Sequence, residues 1–204
     1  MPRPRTGKRK LQAAGTRARI YDAAIREIER HGFENATIGG ICKAAGVSVG
    51  AFYTHFPSKA DIIHEIFRKG DRHFEEIVAR QLADPRATAR ILGFFRHYAS
   101  FNAGSGIEFV RVLYRGLSPQ FSDRSRFMIR LLRRLVEEGQ AAGELDATRT
   151  ADEIVDDLFL VARGRIFDWC VREGEYDLVA AMDRTMSLLL PAFAPKPPKA
   201  PPQS

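Results

Sequence analysis

Between residues 16 and 190 the apolar side chains recur three and four positions apart almost without a break. No stretch alternates apolar and polar residues with β-branched side chains in the manner of a strand. A chain patterned in this way buries its apolar surface by packing helix on helix, so the expected fold class is all-α, with about nine helices.

Punctuation residues divide the pattern. Thr16 is placed to cap a helix over about 17–31 that buries Ile20, Ala24 and Ile28, with Gly32 where a left-handed cap is wanted. Thr37 caps a short second helix with Ile38, Ile41 and Ala45 inward and Gly46 closing it. Ser48 caps a third that carries Val49, Phe52 and Phe56 and stops near Pro57. These three helices are expected to form one compact domain, residues 16–60. Ser58 opens a longer helix whose Ile62, Ile63, Ile66, Phe67, Phe74, Ile77 and Val78 form a stripe wide enough to face two neighbours. A second helical domain, 61–193, then holds helices at about 86–102, 106–117 and 122–142, one from Thr148 or Thr150 to about 173, and one from Tyr176 or Asp177 to about 190. Residues 1–15 read as a flexible basic arm and 194–204 as a disordered Pro-rich tail.

Charge is unevenly shared. The chain of 204 residues carries a formal net charge of +7, and residues 1–60 hold 11 Lys and Arg against 4 Asp and Glu, leaving 21 of each in the remainder. A basic end on a neutral body points to a polyanion at that end, with nucleic acid favoured over an anionic membrane surface. No apolar run reaches the roughly 18 residues of a membrane span and no signal-peptide core follows the basic start, which places the expected protein in the cytoplasm, away from membranes. Cys42 and Cys170 lack paired ligand spacing and read as reduced structural residues. His64 and His73 lie nine positions apart, not the three or four that would juxtapose ligands, so no metal site and no cofactor is expected.

The segment from Thr37 to Phe56 has the grammar of a helix-turn-helix. The turn is Ala45-Gly46-Val47, where glycine permits a sharp reversal and Val47 can plug the angle between the helices. Ser48, Gly50 and Ala51 give the next helix a small face that lets its backbone approach a major groove, while Phe52 and Phe56 face the core and Tyr53, Thr54 and His55 point outward.

At these residues the sequence resembles the TetR family of bacterial transcriptional regulators. The resemblance runs from Ala23 to Phe67 through Gly32-Phe33, Thr37-Ile, Ala44-Ala-Gly-Val-Ser and Phe52-Tyr-Thr-His-Phe-Pro-Ser-Lys59. It implies that Tyr53, His55 and Lys59 touch phosphates and that Thr37 anchors the first helix of the motif, contacts that position without reading sequence. Base reading then falls to Ser48, Val49, Gly50 and Thr54, aided by Lys43, through van der Waals and water-mediated contacts. Phe52 departs from the tyrosine often found at its position, so a hydroxyl contact is lost there. The resemblance further implies a C-terminal domain that dimerises through its last two helices and binds a small molecule whose arrival swings the linking helix.

Beyond the first 70 residues only the residues themselves speak. The helix from Ile154 to Val171 is apolar nearly all round, which fits one face to its own domain and another to a second copy; Ile166, Phe167, Met182, Met186 and Leu189 are the candidate dimer contacts. Eleven of the 14 phenylalanines follow residue 60, and Phe94, Tyr98, Phe109, Leu113, Met128 and Phe159 are the candidate lining of an effector pocket. Arg163 and Arg165 interrupt the apolar helix, either to meet an anionic head group or to pair with Asp156, Asp157 or Asp168. The function so read is a repressor that binds a palindromic operator as a homodimer and is released by a small apolar or amphipathic effector. The alternative is an ungated DNA-binding module whose second domain dimerises or binds a protein. An enzyme is not expected, because no nucleophile stands with an activating base and no catalytic residue can be named.

Overall fold

The computed structural model describes residues 5–115 and 119–195. Among them all regular structure is helical. The helices are α1 (Arg5–Asn35), α2 (Ile38–Ala45), α3 (Val49–His55), α4 (Ala60–His73), α5 (Ala87–Gly104), α6 (Ile107–Arg115), α7 (Phe127–Ala141), α8 (Ala151–Val171) and α9 (Leu178–Leu189). Helix α4 runs on through a π-helical turn, Phe74–Val78, and a last α-turn, Ala79–Gln81. Short 3-10 turns lie at Pro119–Phe121 and Leu190–Phe193.

Two features differ from the expectation. Helix α1 starts at Arg5, not beside Thr16, so residues 5–15 extend the helix where an arm was expected. Residues 11–15 are exposed in it, and the helix propensity of Gln12, Ala13 and Ala14, not burial, favours this stretch. Its far end breaks at Gly32, whose φ of 76° belongs to glycine. The boundary expected at 60/61 also shifts: the chain divides into two compact units, Met1–Lys69 with Gly106–Gln120, and Gly70–Ser105 with Phe121–Ser204. α6 joins the first unit because it packs on α1, and Gly106, at φ 87°, leaves room for the Glu29 carboxylate that any Cβ there would strike. Of the tail expected over 194–204, only Ala194 and Pro195 lie within the described residues.

The first unit is built on Ile20, Ala24, Ile28, Ile41, Phe52, Phe56 and Ile62, all fully buried. In the second, α5 packs on α7 and α9, and α8 on α7 and α9. Capping fixes the junctions. The Glu144 carboxylate accepts from the main-chain N–H groups of Ala87 and Thr88 at the start of α5, each at 2.9 Å. Asp71 accepts from Met128 N at 3.1 Å and from Arg126 Nε at 2.9 Å, holding the start of α7. Thr150 and Glu153 form a reciprocal capping box on α8, and Asp177 caps α9.

Candidate nucleic-acid interface

The helix-turn-helix is fixed by its own short-range hydrogen bonds. Thr37 Oγ1 accepts from Gly40 N at 3.0 Å and opens α2. Gly46 closes it in left-handed geometry, φ 65° and ψ 42°, and Val47 N donates back to Cys42 O at 3.0 Å, giving the five-residue reversal that a side chain would strain. Ser48 Oγ accepts from Ala51 N at 3.1 Å and starts α3. Phe52 and Phe56 are wholly buried beneath α3, with ring centroids 5.8 Å apart. The buried Cys42 thiol donates to Ser48 O at 3.8 Å across the turn, and burial pushes its pKa up, which keeps it protonated and inert.

This anchoring leaves one face of α3 in solvent. Ser48, Val49, Gly50, Tyr53 and Thr54 are exposed together, as are Thr37 and Lys43 on α2, while His55 is half-buried. Val49 and Tyr53 are 49% and 51% exposed, large apolar surface that the domain itself does not use. A Cβ at Gly50 would meet only Ser48 Oγ, 3.9 Å away. No internal packing therefore requires glycine there, and the bare backbone is open to close approach from outside. Thr54 Oγ1 donates to Gly50 O at 3.0 Å, which leaves its lone pairs facing outward as acceptors. Gly39, also exposed with open space where a side chain would stand, widens this surface at the start of α2. It escaped the sequence reading, although two successive glycines in a first helical turn are a readable signal.

Lys59 is placed differently from the phosphate contact that the resemblance implies. Its ammonium donates to the main-chain carbonyls of Phe33 at 2.5 Å, Ala36 at 3.0 Å and Glu34 at 3.4 Å, and lies 4.4 Å from the Phe33 ring centroid. Its donors are thus taken up by carbonyls in the last turn of α1 and at Ala36 just after it, where helical partners run out.

The remaining candidates distribute over both units. Phe109 and Leu113 are buried on α6 in the first unit. In the second unit Phe159 stacks edge-on against Phe94 at 6.0 Å and Tyr98 at 5.7 Å, Phe74 joins Phe94 at 4.8 Å, and Met128 is buried on α7. Arg163 lies over Phe159 and Phe121 at 5.0 and 5.2 Å and donates to the Phe121 carbonyl, while its Nε is buried with no hydrogen-bond partner. Arg165 does pair with Asp168, at 3.6 Å, and also donates to Thr185. Among the dimer candidates, Ile166, Met182 and Met186 are wholly buried within the single chain and Leu189 is half-buried, so of these only Phe167 stands on the surface. The apolar side chains exposed on α8 are instead Leu160, Phe167 and Val171, joined by Leu188 of α9. Among the described residues no group of three potential ligands could hold a metal, and no helix is long and apolar enough to cross a membrane.

A capped helix-turn-helix with a small-residue outward face, in front of a second helical unit, defines a DNA-binding transcriptional regulator. Residues 20–66 match the family described as bacterial regulatory proteins, tetR family. The chain is 39% identical over 70 residues to the transcriptional regulator AcrR of Shigella flexneri, a match spanning 34% of this chain and 33% of that protein. It is 24% identical over 182 residues to the fatty acid metabolism regulator protein of Bacillus subtilis, covering 84% of this chain and 92% of that one. The structure of FadR from Bacillus subtilis in complex with stearoyl-CoA superposes with a TM-score of 0.75 at 22% identity, over 85% of this chain and 97% of that one. The match to that family thus falls on the helix-turn-helix residues, and the fold of the longer stretch is that of FadR.

Proposed function

We propose that the protein is a ligand-responsive repressor that binds a palindromic operator as a homodimer in the cytoplasm and is released by a small amphipathic effector. The observation that carries this reading is the environment of Arg163, a cation with an orphaned buried Nε beside the aromatic cluster of Phe94, Tyr98 and Phe159. A carboxylate or phosphate would satisfy the guanidinium, and an apolar tail would replace ring contacts. The solved relative that holds stearoyl-CoA supports an effector of that chemistry. Thr37, Tyr53 and His55 then hold phosphates, and Ser48, Val49, Gly50 and Thr54, with Lys43, meet the bases. The second copy covers Leu160, Phe167, Val171 and Leu188, which leave an apolar strip in solvent on a single chain.

The closeness of the rings favours a second reading. Phe94, Phe95, Tyr98 and Phe159 close on one another at 5.1–6.3 Å, as in a filled core, and a protein that never opens there would be an ungated DNA-binding module. A gel-shift titration on the intergenic DNA beside its own gene, at fixed salt, with and without long-chain acyl-CoA and free fatty acids, separates the two. Release by one compound supports gating. Tight binding indifferent to all of them supports the ungated module.

A further inference from the structure

Arg17 joins three elements of the first unit. It projects from α1, and its Nε and Nη2 donate to Glu65 Oε2 on α4 at 3.1 and 2.9 Å. Its Nη1 donates to the main-chain carbonyl of His55, the last residue of α3. The guanidinium lies over the Phe56 ring, with Cζ 4.2 Å from the centroid. Glu65 is 6% exposed and also receives Arg68 Nη2 at 2.5 Å from the next turn of its own helix.

We propose that Arg17 is a positioning residue that fixes the tilt of the recognition helix α3 against the linking helix α4, and that it acts without touching DNA. At its C-terminal end helix α3 is otherwise held from below by Phe52 and Phe56, and apolar contact is non-directional. The hydrogen bond to its last carbonyl is directional, and it comes from a fork whose other prongs are held by a buried carboxylate. Only arginine can supply both directions at once while stacking on a ring; the ammonium of lysine is a point charge. Because Glu65 belongs to α4, a displacement of α4 at this level moves the guanidinium, and the His55 carbonyl with it. The inference rests on the DNA-binding reading and is independent of what the effector is.

Simple electrostatics and positioning predict opposite signs for one variant, which makes the test decisive. Arg17→Lys and Glu65→Gln would be titrated, beside the wild type, on a duplex selected by the wild-type protein from random sequence and on bulk calf-thymus DNA, at several salt concentrations. Removing the negative charge of Glu65 should tighten DNA binding if charge alone mattered. Positioning predicts instead that both variants lose at least about tenfold in affinity for the selected duplex, keep bulk-DNA affinity within about twofold, and retain the wild-type slope of log K against log salt. Circular dichroism and melting identify any variant that is not folded at the assay temperature, and the assay is then run below its melting midpoint. The proposal is overturned if Glu65→Gln binds the selected duplex as tightly as wild type or more so. It is also overturned if further removal of the cation by Arg17→Gln lowers the salt slope by about one, the mark of a direct phosphate contact. Failure of the wild type to enrich any duplex would sink the regulator reading and not the role of Arg17.

Discussion

The ammonium of Lys59 lies 3.0 Å from the carbonyl oxygen of Ala36, so the first residues of the linking segment are tied to the end of α1 by a charge-assisted hydrogen bond. Replacing Lys59 with alanine orphans the carbonyls of Phe33 and Ala36 together. A loss of about 1–3 kcal/mol in folding stability is expected from urea denaturation. The salt slope of operator binding should stay at its wild-type value; a fall of about one would restore Lys59 to the phosphate contacts.

Gly50 gives a prediction in which stability and function move in opposite directions. Alanine at this exposed helical position meets nothing closer than 3.9 Å and should raise the melting midpoint, by the equivalent of about 0.5–1 kcal/mol. Operator affinity should fall if, as proposed, the backbone at Gly50 approaches the groove, because the added methyl would stand between them. A variant that melts higher and binds as well would remove Gly50 from the interface.

The second unit depends on Asp71. Asp71→Ala removes the cap on Met128 N and leaves Arg126, whose side chain is only 9% exposed, without this carboxylate. The expected cost is about 2–4 kcal/mol, combining a lost cap with a lost charge-assisted hydrogen bond, read as a lower urea midpoint at unchanged m-value. A cost below about 0.5 kcal/mol would show that the start of α7 holds itself.

Acid should weaken the protein before the carboxylates titrate. Burial, and then the neighbouring His73, hold the His97 imidazole below its ordinary pKa, so the folded state keeps it neutral where the unfolded chain would protonate it. Its contribution is complete above the unfolded pKa of about 6.5 and is lost as pH falls through that value toward the folded one. Urea midpoints measured at pH 7.5 and 5.5 should therefore drop for the wild type and drop less for His97→Gln. Parallel drops would assign the effect elsewhere.

What could be read in advance was local. Thr37 and Ser48 cap helices where their spacing places them, and of the paired alternatives Thr148 or Thr150 and Tyr176 or Asp177 it is Thr150 and Asp177 that cap, since a cap bonds residues two or three positions away. The start of α1 escaped because periodicity records burial, and residues 11–15 form a helix that buries almost nothing. The phase of α8 escaped for the opposite reason: with apolar residues on every side, nothing in the sequence told the inward Ile166 from the outward Leu160 and Val171. Lys59 and Arg17 were illegible in another way, because their partners include main-chain carbonyls, which every residue carries alike.

Helix α3 is seven residues long. An isolated helix in water needs about 12–15 residues before it persists, so a synthetic peptide of residues 48–56 would be a coil with no groove-shaped face. Its form is borrowed from the floor of Phe52 and Phe56 and from the guanidinium at its end. Transplanting the specificity of this protein into another scaffold therefore means moving the floor together with the letters that sit on it.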